Sequence, residues 1–206
     1  MGKTFLASRV VDYFRQETST VDPDGCGVGF FYCTDADANF RNGPAHLLRS
    51  LTLQLAMSCA QSETVIFALR DSLKQARISG TEPDLGTCTD WLLEAINSYP
   101  STIFVLDGLD KLEPSAIASL VSTLEYLLTS TSKQLKLFLS SRENSALAPL
   151  RSPAWGVLFT IPLRHWTGES DGYGSHVWRD MEKILEKEFD AHSHVLSQLP
   201  AASEGS

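Results

Sequence analysis

The sequence IFVLDGLD, residues 103–110, decides the fold. Residues 102–106 form an apolar run dominated by β-forming side chains, and Asp107 closes it. An uninterrupted run of this kind is typical of a strand that is buried on both faces, as in a parallel sheet covered by helices. The stretch therefore predicts a buried strand that carries an aspartate at its carboxyl end.

Patterns typical of helices and of strands alternate along the rest of the chain. Apolar residues recur at the helical period in segments at about 3–16, 48–60, 63–77, 89–98, 114–128 and 175–190. Short apolar runs predict three further strands, which lie at about 28–33, 135–139 and 157–163. The segment 78–87, ISGTEPDLGT, is expected to be the most flexible loop. Strands separated by helices over the whole chain predict a three-layer α/β fold with a parallel sheet.

Polar side chains follow the strand at 135–139, which ends in Ser140, Ser141 and Arg142. The carboxyl ends of parallel strands meet at one edge of the sheet, where ligands of open α/β sheets bind. An arginine at this edge can stabilise a terminal phosphate, because its planar fork matches phosphate oxygens. Taken alone, an arginine such as Arg142 is more often a surface ion-pair residue.

The first residues of the chain, Gly2, Lys3 and Thr4, match the last three positions of the phosphate-binding pattern G-x-x-x-x-G-K-[ST]. In that pattern backbone amides and the lysine bind phosphates, and the hydroxyl binds magnesium. The triplet alone is a weak signal that also fits an ordinary helix start. A strand-borne aspartate about 100 residues later, in the expected order, makes a nucleotide site the better interpretation.

The composition argues against several kinds of partner, location and metal site. The formal charge of -8 and the pI of about 5.1 repel nucleic-acid backbones and anionic membranes, so neither is an expected partner. No apolar run is long enough for a membrane span and no signal-peptide pattern opens the chain, so a cytoplasmic protein is expected. The four cysteines are widely spaced and suggest neither a zinc site nor a disulfide framework.

Five ordered segments together resemble a known family: Gly2-Lys3-Thr4, GFFYC, NGPAHLLRSLTLQLA, IFVLDGLDKL and LKLFLSSRE. They are similar to NACHT-type STAND P-loop NTPases, and more narrowly to the nephrocystin-type N-terminal domain of multidomain proteins. The resemblance covers about residues 2–165. It places an incomplete NTPase core at 1–165, followed at 166–206 by an amphipathic helix and tail.

The resemblance implies a sheet of order 5-1-4-3-2 that binds ATP or GTP with Mg²⁺. It also implies slow hydrolysis and a switch between an autoinhibited diphosphate form and a triphosphate form that self-oligomerises through this domain. By position, Gly2 and Lys3 would bind the phosphates, and Thr4 and Asp107 would hold the magnesium. Asp110 would orient or polarise the attacking water, and Arg142 would sense the terminal phosphate.

Two departures from the family pattern are visible. Lys111 stands where family members commonly have an acidic residue, and a cation beside Asp110 weakens it as a base, so slow hydrolysis is expected. The family's first strand and glycine loop lie before Gly2, so the chain is expected to be truncated within the motif. The missing strand would leave a gap between the strands at 135–139 and 157–163.

Three functional hypotheses remain at this point. The first is a nucleotide-binding regulatory switch that hydrolyses its nucleotide slowly. The alternative is a truncated, non-catalytic fragment that acts as an interaction module or binds no nucleotide. A small-metabolite P-loop kinase is disfavoured because no arginine-rich lid is recognisable. The sequence does not distinguish ATP from GTP.

Overall fold

The structure, a computed structural model, describes residues 2–20, 26–34, 43–58, 71–72, 74–76, 78–80 and 82–142. The chain divides into two units, Met1–Arg164 and His165–Ser206, and every described residue lies in the first unit. The predicted strand at 157–163, the helix at 175–190 and the domain boundary after residue 165 lie outside the described residues. These three features stay predictions.

Three parallel strands form the centre of the described fold. They are β1 (Cys26–Tyr32), β2 (Ser101–Asp107) and β3 (Gln134–Ser140), in the order β1-β2-β3. The predicted strands at 28–33, 102–106 and 135–139 are thus confirmed, each with slightly different ends. The expected order 5-1-4-3-2 has two strands more than these three, so the described residues do not test it.

Four labelled helices accompany the sheet: α1 (Gly2–Thr20), α2 (Gly43–Ser58), α3 (Leu85–Asn97) and α4 (Pro114–Ser130). Between α2 and α3, the described residues at 71–72, 74–76 and 78–79 are also helical. A short 3-10 turn, Leu109–Lys111, follows β2. None of the helices in the described ranges combines the length and the apolar composition of a membrane span.

Helices cover both faces of the sheet, as adjacent residues of β1 show. The Arg15 guanidinium of α1 lies 4.8 Å from the centroid of the Phe30 ring. The next residue, Phe31, points the other way and makes an edge-to-face contact with His46 of α2, with ring centroids 5.7 Å apart. Successive side chains of a strand alternate between faces, so α1 lies on one face and α2 on the other.

The main hydrophobic core lies on the α2 face. It joins apolar residues of α2, α3 and α4 to Phe104 and Leu106 of β2. Glycines of β1 allow α2 to pack closely there, since a Cβ on Gly29 would lie 3.0 Å from Phe104 and 3.1 Å from Leu51. The α2 face is therefore the main apolar core of the described fold.

The outer edge of β1 is closed by a side chain of α2. The Gln54 amide accepts a hydrogen bond from the Phe30 backbone N–H (3.0 Å) and donates one to the Phe30 carbonyl (2.7 Å). It thus takes the place of a neighbouring strand at this position. At the opposite side, β3 pairs only with β2 within the described residues, and all its residues before Ser140 are half-buried.

Two expected helix boundaries were wrong. The segment 78–87 is not a loop throughout, because Ile78 and Ser79 are helical and α3 begins at Leu85. The Asp84 carboxylate accepts a 2.7 Å hydrogen bond from the Thr87 backbone N–H and caps α3, a signal that the sequence analysis missed. Likewise, α2 begins at Gly43 rather than Leu48, with Pro44 accommodated in its first turn.

Candidate functional site

Three oxygen-bearing side chains lie in a row at the carboxyl edge of the sheet. Tyr32, Asp107 and Ser140 are the last residues of β1, β2 and β3, and the strand register places Asp107 opposite both of the others. Directly opposed residues of neighbouring parallel strands project to the same face of the sheet. We call these residues the edge row, and they lie on the face covered by α1.

Thr4 of α1 contacts Asp107, the central residue of the edge row. Its hydroxyl donates a 2.7 Å hydrogen bond to Asp107 Oδ2, which joins residues 103 positions apart in the chain. Asp107 is only 5% exposed, and a buried carboxylate needs such a partner to offset its lost hydration. Because Thr4 lies in the first turn of α1, the contact places the N-terminus of that helix, a favourable site for anions, at the sheet edge.

A second contact links the next turn of α1 to the edge row. Ser8 lies four residues after Thr4, on the same side of the helix, and its hydroxyl is close enough to Tyr32 to affect the phenol. Burial raises the pKa of the Tyr32 phenol, and the nearby carboxylates of Asp107 and Asp12 raise it further. The Ser8 hydroxyl and the Arg15 guanidinium oppose that rise. Two successive turns of α1 therefore lie against neighbouring strands.

The backbone around Asp107 is fixed by hydrogen bonds on both sides. Cys33 N–H donates to the Asp107 carbonyl at 2.8 Å, and Gly108 N–H donates to the Ser140 carbonyl at 2.9 Å. Gly108 has a φ of 76°, in the left-handed region that favours glycine, and a Cβ there would lie 3.1 Å from the Cys33 carbonyl oxygen. This turn directs the chain from β2 into the 3-10 turn that carries Asp110.

Asp110 and Arg142 contact each other. The Arg142 backbone N–H donates to Asp110 Oδ1 at 2.9 Å, and its Nε lies 3.4 Å from Asp110 Oδ2. The Arg142 side chain is 83% exposed, whereas that of Asp110 is 17% exposed. Exposed ion pairs contribute little to stability, so the backbone hydrogen bond is the firmer part of the contact.

The structure thus groups the predicted site residues into two pairs, Thr4 with Asp107 and Asp110 with Arg142. Gly2 and Lys3 lie in the first turn of α1, and their side chains are outside the description. Sequence reasoning missed Ser8 and Tyr32. The available signals were the four-residue spacing from Thr4 to Ser8 and the position of Tyr32 at the end of a strand.

The oxygen donors at this edge fit magnesium. A hydroxyl and a carboxylate are hard ligands of the kind that Mg²⁺ prefers, and Mg²⁺ commonly takes one or two carboxylates together with phosphates and waters. The described part of the chain holds no group of three or more His, Cys, Asp or Glu side chains that could form an all-protein metal cage. The donor set therefore suits a cation that is shared with a phosphate ligand.

Comparison with known proteins gives one match. The family model described as "Nephrocystin 3, N-terminal" matches residues 1–142, which is more than half of the 206-residue chain. No curated protein and no solved structure matches the chain. The matched region begins before α1 and ends at Arg142, so it includes both residue pairs of the site.

Proposed function

The chain belongs to the nephrocystin 3 N-terminal family, and on this premise we propose that it is a NACHT-like P-loop NTPase domain of the STAND class. It binds ATP or GTP with Mg²⁺, hydrolyses the nucleotide slowly and acts as a regulatory switch. Its partners are the nucleotide and further copies of the same domain. The protein is proposed to work in the cytoplasm.

The hydrogen bond between Thr4 and Asp107 carries this proposal. It joins a hydroxyl at the start of a helix to a carboxylate at the end of a buried strand, across 103 residues. P-loop NTPases hold magnesium with these two residue types, a hydroxyl after the phosphate loop and an aspartate after an apolar strand. An ordinary helix start would not require its first-turn hydroxyl to reach that aspartate.

The proposed roles follow from the residue types and from their places in the chain. Thr4 and Asp107 hold the cation, which when bound neutralises charge on the phosphate oxygens. The backbone amides of Gly2 and Lys3, at the N-terminus of α1, face the phosphates, and the Lys3 ammonium adds a positive charge. These contacts bind and orient the nucleotide.

Asp110 and Arg142 have the roles closest to hydrolysis. Asp110 accepts a proton from, or orients, the attacking water, and Arg142 binds the terminal phosphate through its exposed guanidinium. In the present structure the two residues are bonded to each other. Arg142 turns from Asp110 to bind a phosphate, and this costs little because exposed ion pairs are weak. Slow rather than rapid hydrolysis is proposed from Lys111, the cation beside Asp110 in the sequence.

Nucleotide binding tests the proposal directly. Fluorescent N-methylanthraniloyl derivatives of ATP and GTP are titrated with the 206-residue chain, and with a chain to which a strand and glycine loop of the family pattern have been added before Gly2, in Mg²⁺ or in EDTA. We expect Mg²⁺-dependent binding, and competition with unlabelled ATP and GTP identifies the preferred base. Tight binding by the 206-residue chain would show that the added residues are dispensable.

Two aspartate variants provide the matched comparison. Asp107→Asn removes the charge from the proposed cation ligand and should weaken Mg²⁺-dependent binding by about tenfold or more. Asp90→Asn makes the same change at an exposed position of α3 and should leave binding unchanged. If neither chain length binds a nucleotide while both are folded, the switch function is wrong and the interaction module is the better explanation.

A further inference from the structure

Two buried hydroxyl groups lack a hydrogen-bond partner in the described part of the chain. They are Thr102 Oγ1 and Ser140 Oγ. A buried polar group left without a partner destabilises the folded state, and such groups are rare in folded proteins. Each of the two therefore requires an explanation.

The two hydroxyls lie at opposite ends of the sheet. Thr102 is the second residue of β2, is 1% exposed and shares the α2 face with Phe104 and Leu106, by strand alternation. Ser140 is the last residue of β3, is 9% exposed and belongs to the edge row on the α1 face. Only Ser140 is placed beside the proposed cation ligands.

The distance between neighbouring strands decides what Ser140 can reach. Adjacent strands lie about 4.8 Å apart. Ser140 makes no direct hydrogen bond to Asp107 across that gap, whereas Asp107 Oδ2 is bonded to Thr4. A single water molecule spans such a gap. The Ser140 backbone is held in place because its carbonyl accepts the 2.9 Å hydrogen bond from Gly108. Ser140 thus lies one strand spacing from Asp107, and its hydroxyl has no partner among the described residues.

We propose that Ser140 is a positioning residue of the cation site, whose hydroxyl holds a water molecule of the magnesium hydration shell. This inference rests on the proposed nucleotide function. Mg²⁺ keeps several of its waters when it binds to proteins, and groups that hold such outer ligands tune metal affinity. The missing hydrogen bond of Ser140 is then supplied when magnesium and nucleotide bind.

The test compares Ser140→Ala with Thr102→Val. Both changes delete a buried hydroxyl that lacks a partner, and valine keeps the shape of threonine. The Mg²⁺ dependence of N-methylanthraniloyl-nucleotide fluorescence is measured for both variants, and urea unfolding is measured without nucleotide. We expect Ser140→Ala to raise the half-saturating Mg²⁺ concentration about tenfold, as is typical for the loss of an outer-shell partner, and Thr102→Val to leave it unchanged.

Stability separates this role from a structural one. Neither variant should unfold more easily than the wild type, because neither deleted hydroxyl has a partner to lose. Ser140→Cys, which keeps a side chain of similar size but bonds weakly through sulfur, should raise the Mg²⁺ requirement as alanine does. A clear loss of stability in Ser140→Ala would contradict the inference, since it would reveal a structural partner.

The outcomes distinguish a failure of the proposed nucleotide function from a failure of the role proposed for Ser140. If the wild type shows no Mg²⁺-dependent nucleotide binding, both the proposed function and the role of Ser140 are wrong. If the wild type binds and Ser140→Ala has the same Mg²⁺ requirement, only the role of Ser140 is overturned. An equal rise in Thr102→Val would also overturn it, because the effect would not depend on the position of the hydroxyl.

Discussion

The face of the sheet covered by α1 and the face covered by α2, α3 and α4 are built from alternate residues of the same strands. On the second face Leu106 and its neighbours join a continuous apolar core. On the first, the next residue, Asp107, is bonded to Thr4 of a single helix. The same one-residue step separates Phe31 from Tyr32 and Leu139 from Ser140.

The difference between the two faces is greatest at the strand ends, because Val28, Ile103 and Val105 are buried on the α1 face as well. Apolar packing on the α2 face is available to hold the strands in place, so polar groups on the α1 face can be directed toward a ligand. Changes on the α2 face should therefore alter the free energy of unfolding most. Changes in the edge row should alter stability little and ligand binding more. Four substitutions test this contrast.

Phe104→Ala should have the largest effect on stability. Phe104 is fully buried in the core of the α2 face, and truncation of a buried phenylalanine to alanine costs about 3–5 kcal/mol. Urea unfolding followed by circular dichroism measures the loss. Val105→Ala, at an equally buried position on the α1 face, removes fewer carbon atoms and should cost less for that reason alone. A loss below about 2 kcal/mol in Phe104→Ala would contradict its place in the core.

Gly29→Ala should destabilise the protein through crowding of the α2 face. The added methyl group would lie 3.0 Å from Phe104 and 3.1 Å from Leu51, and overpacking of this kind costs about 1–3 kcal/mol. The control is Gly86→Ala in α3, whose nearest neighbour would be 3.6 Å away. That variant should be neutral or up to about 1 kcal/mol more stable, since alanine favours helix. If both variants behave alike in urea unfolding, the close packing at Gly29 has no energetic effect.

Gln54→Met should open the outer edge of β1. The change keeps the side-chain length but deletes two hydrogen bonds to Phe30, and each is worth about 0.5–1.5 kcal/mol. An unpaired strand edge also promotes association between chains, so size-exclusion chromatography should show more self-association than in the wild type. Ser58→Ala, an exposed change one turn further along α2, serves as the control. Unchanged stability and unchanged association would show that Gln54 does not protect this edge.

Tyr32→Phe should have the smallest effect on stability, about 0.5–1.5 kcal/mol, because it removes only the phenol hydroxyl beside Ser8 and leaves the ring in place. Ser8→Ala removes the hydroxyl on the other side of this contact. A double-mutant cycle should therefore be non-additive, with the double variant little worse than either single variant. Additive losses would mean that the two hydroxyls do not act as a pair.

The sequence predicted the three described strands well because each is a short, continuous apolar run with an obvious end. It was less accurate for the starts of helices, where single local bonds decide. The hydrogen bond from Thr87 to Asp84 extends α3 into a segment whose composition suggested a loop. At α2, Pro44 indicates the start of the helix, but the polar residues before it suggested a loop.

The candidate site was only partly predictable, for reasons of geometry. Asp107 and Thr4 belong to patterns that carry chemical meaning along the chain. Tyr32 lies at the site because of the strand register, and Ser8 because it is one helical turn after Thr4. No local sequence pattern contains both kinds of information. The missing partner of Ser140 depends on how deeply the strand end is buried, so it appears only in three dimensions.

The bond between Thr4 and Asp107 also bears on the time course of folding. Its 103-residue separation means that α1 leaves the ribosome long before the strand it must contact. Contacts of such high sequence separation form slowly, because the intervening chain must lose entropy before they are made. The edge that holds the proposed site should therefore be among the last parts of the domain to assemble, after the core of the α2 face has brought β1 and β2 together.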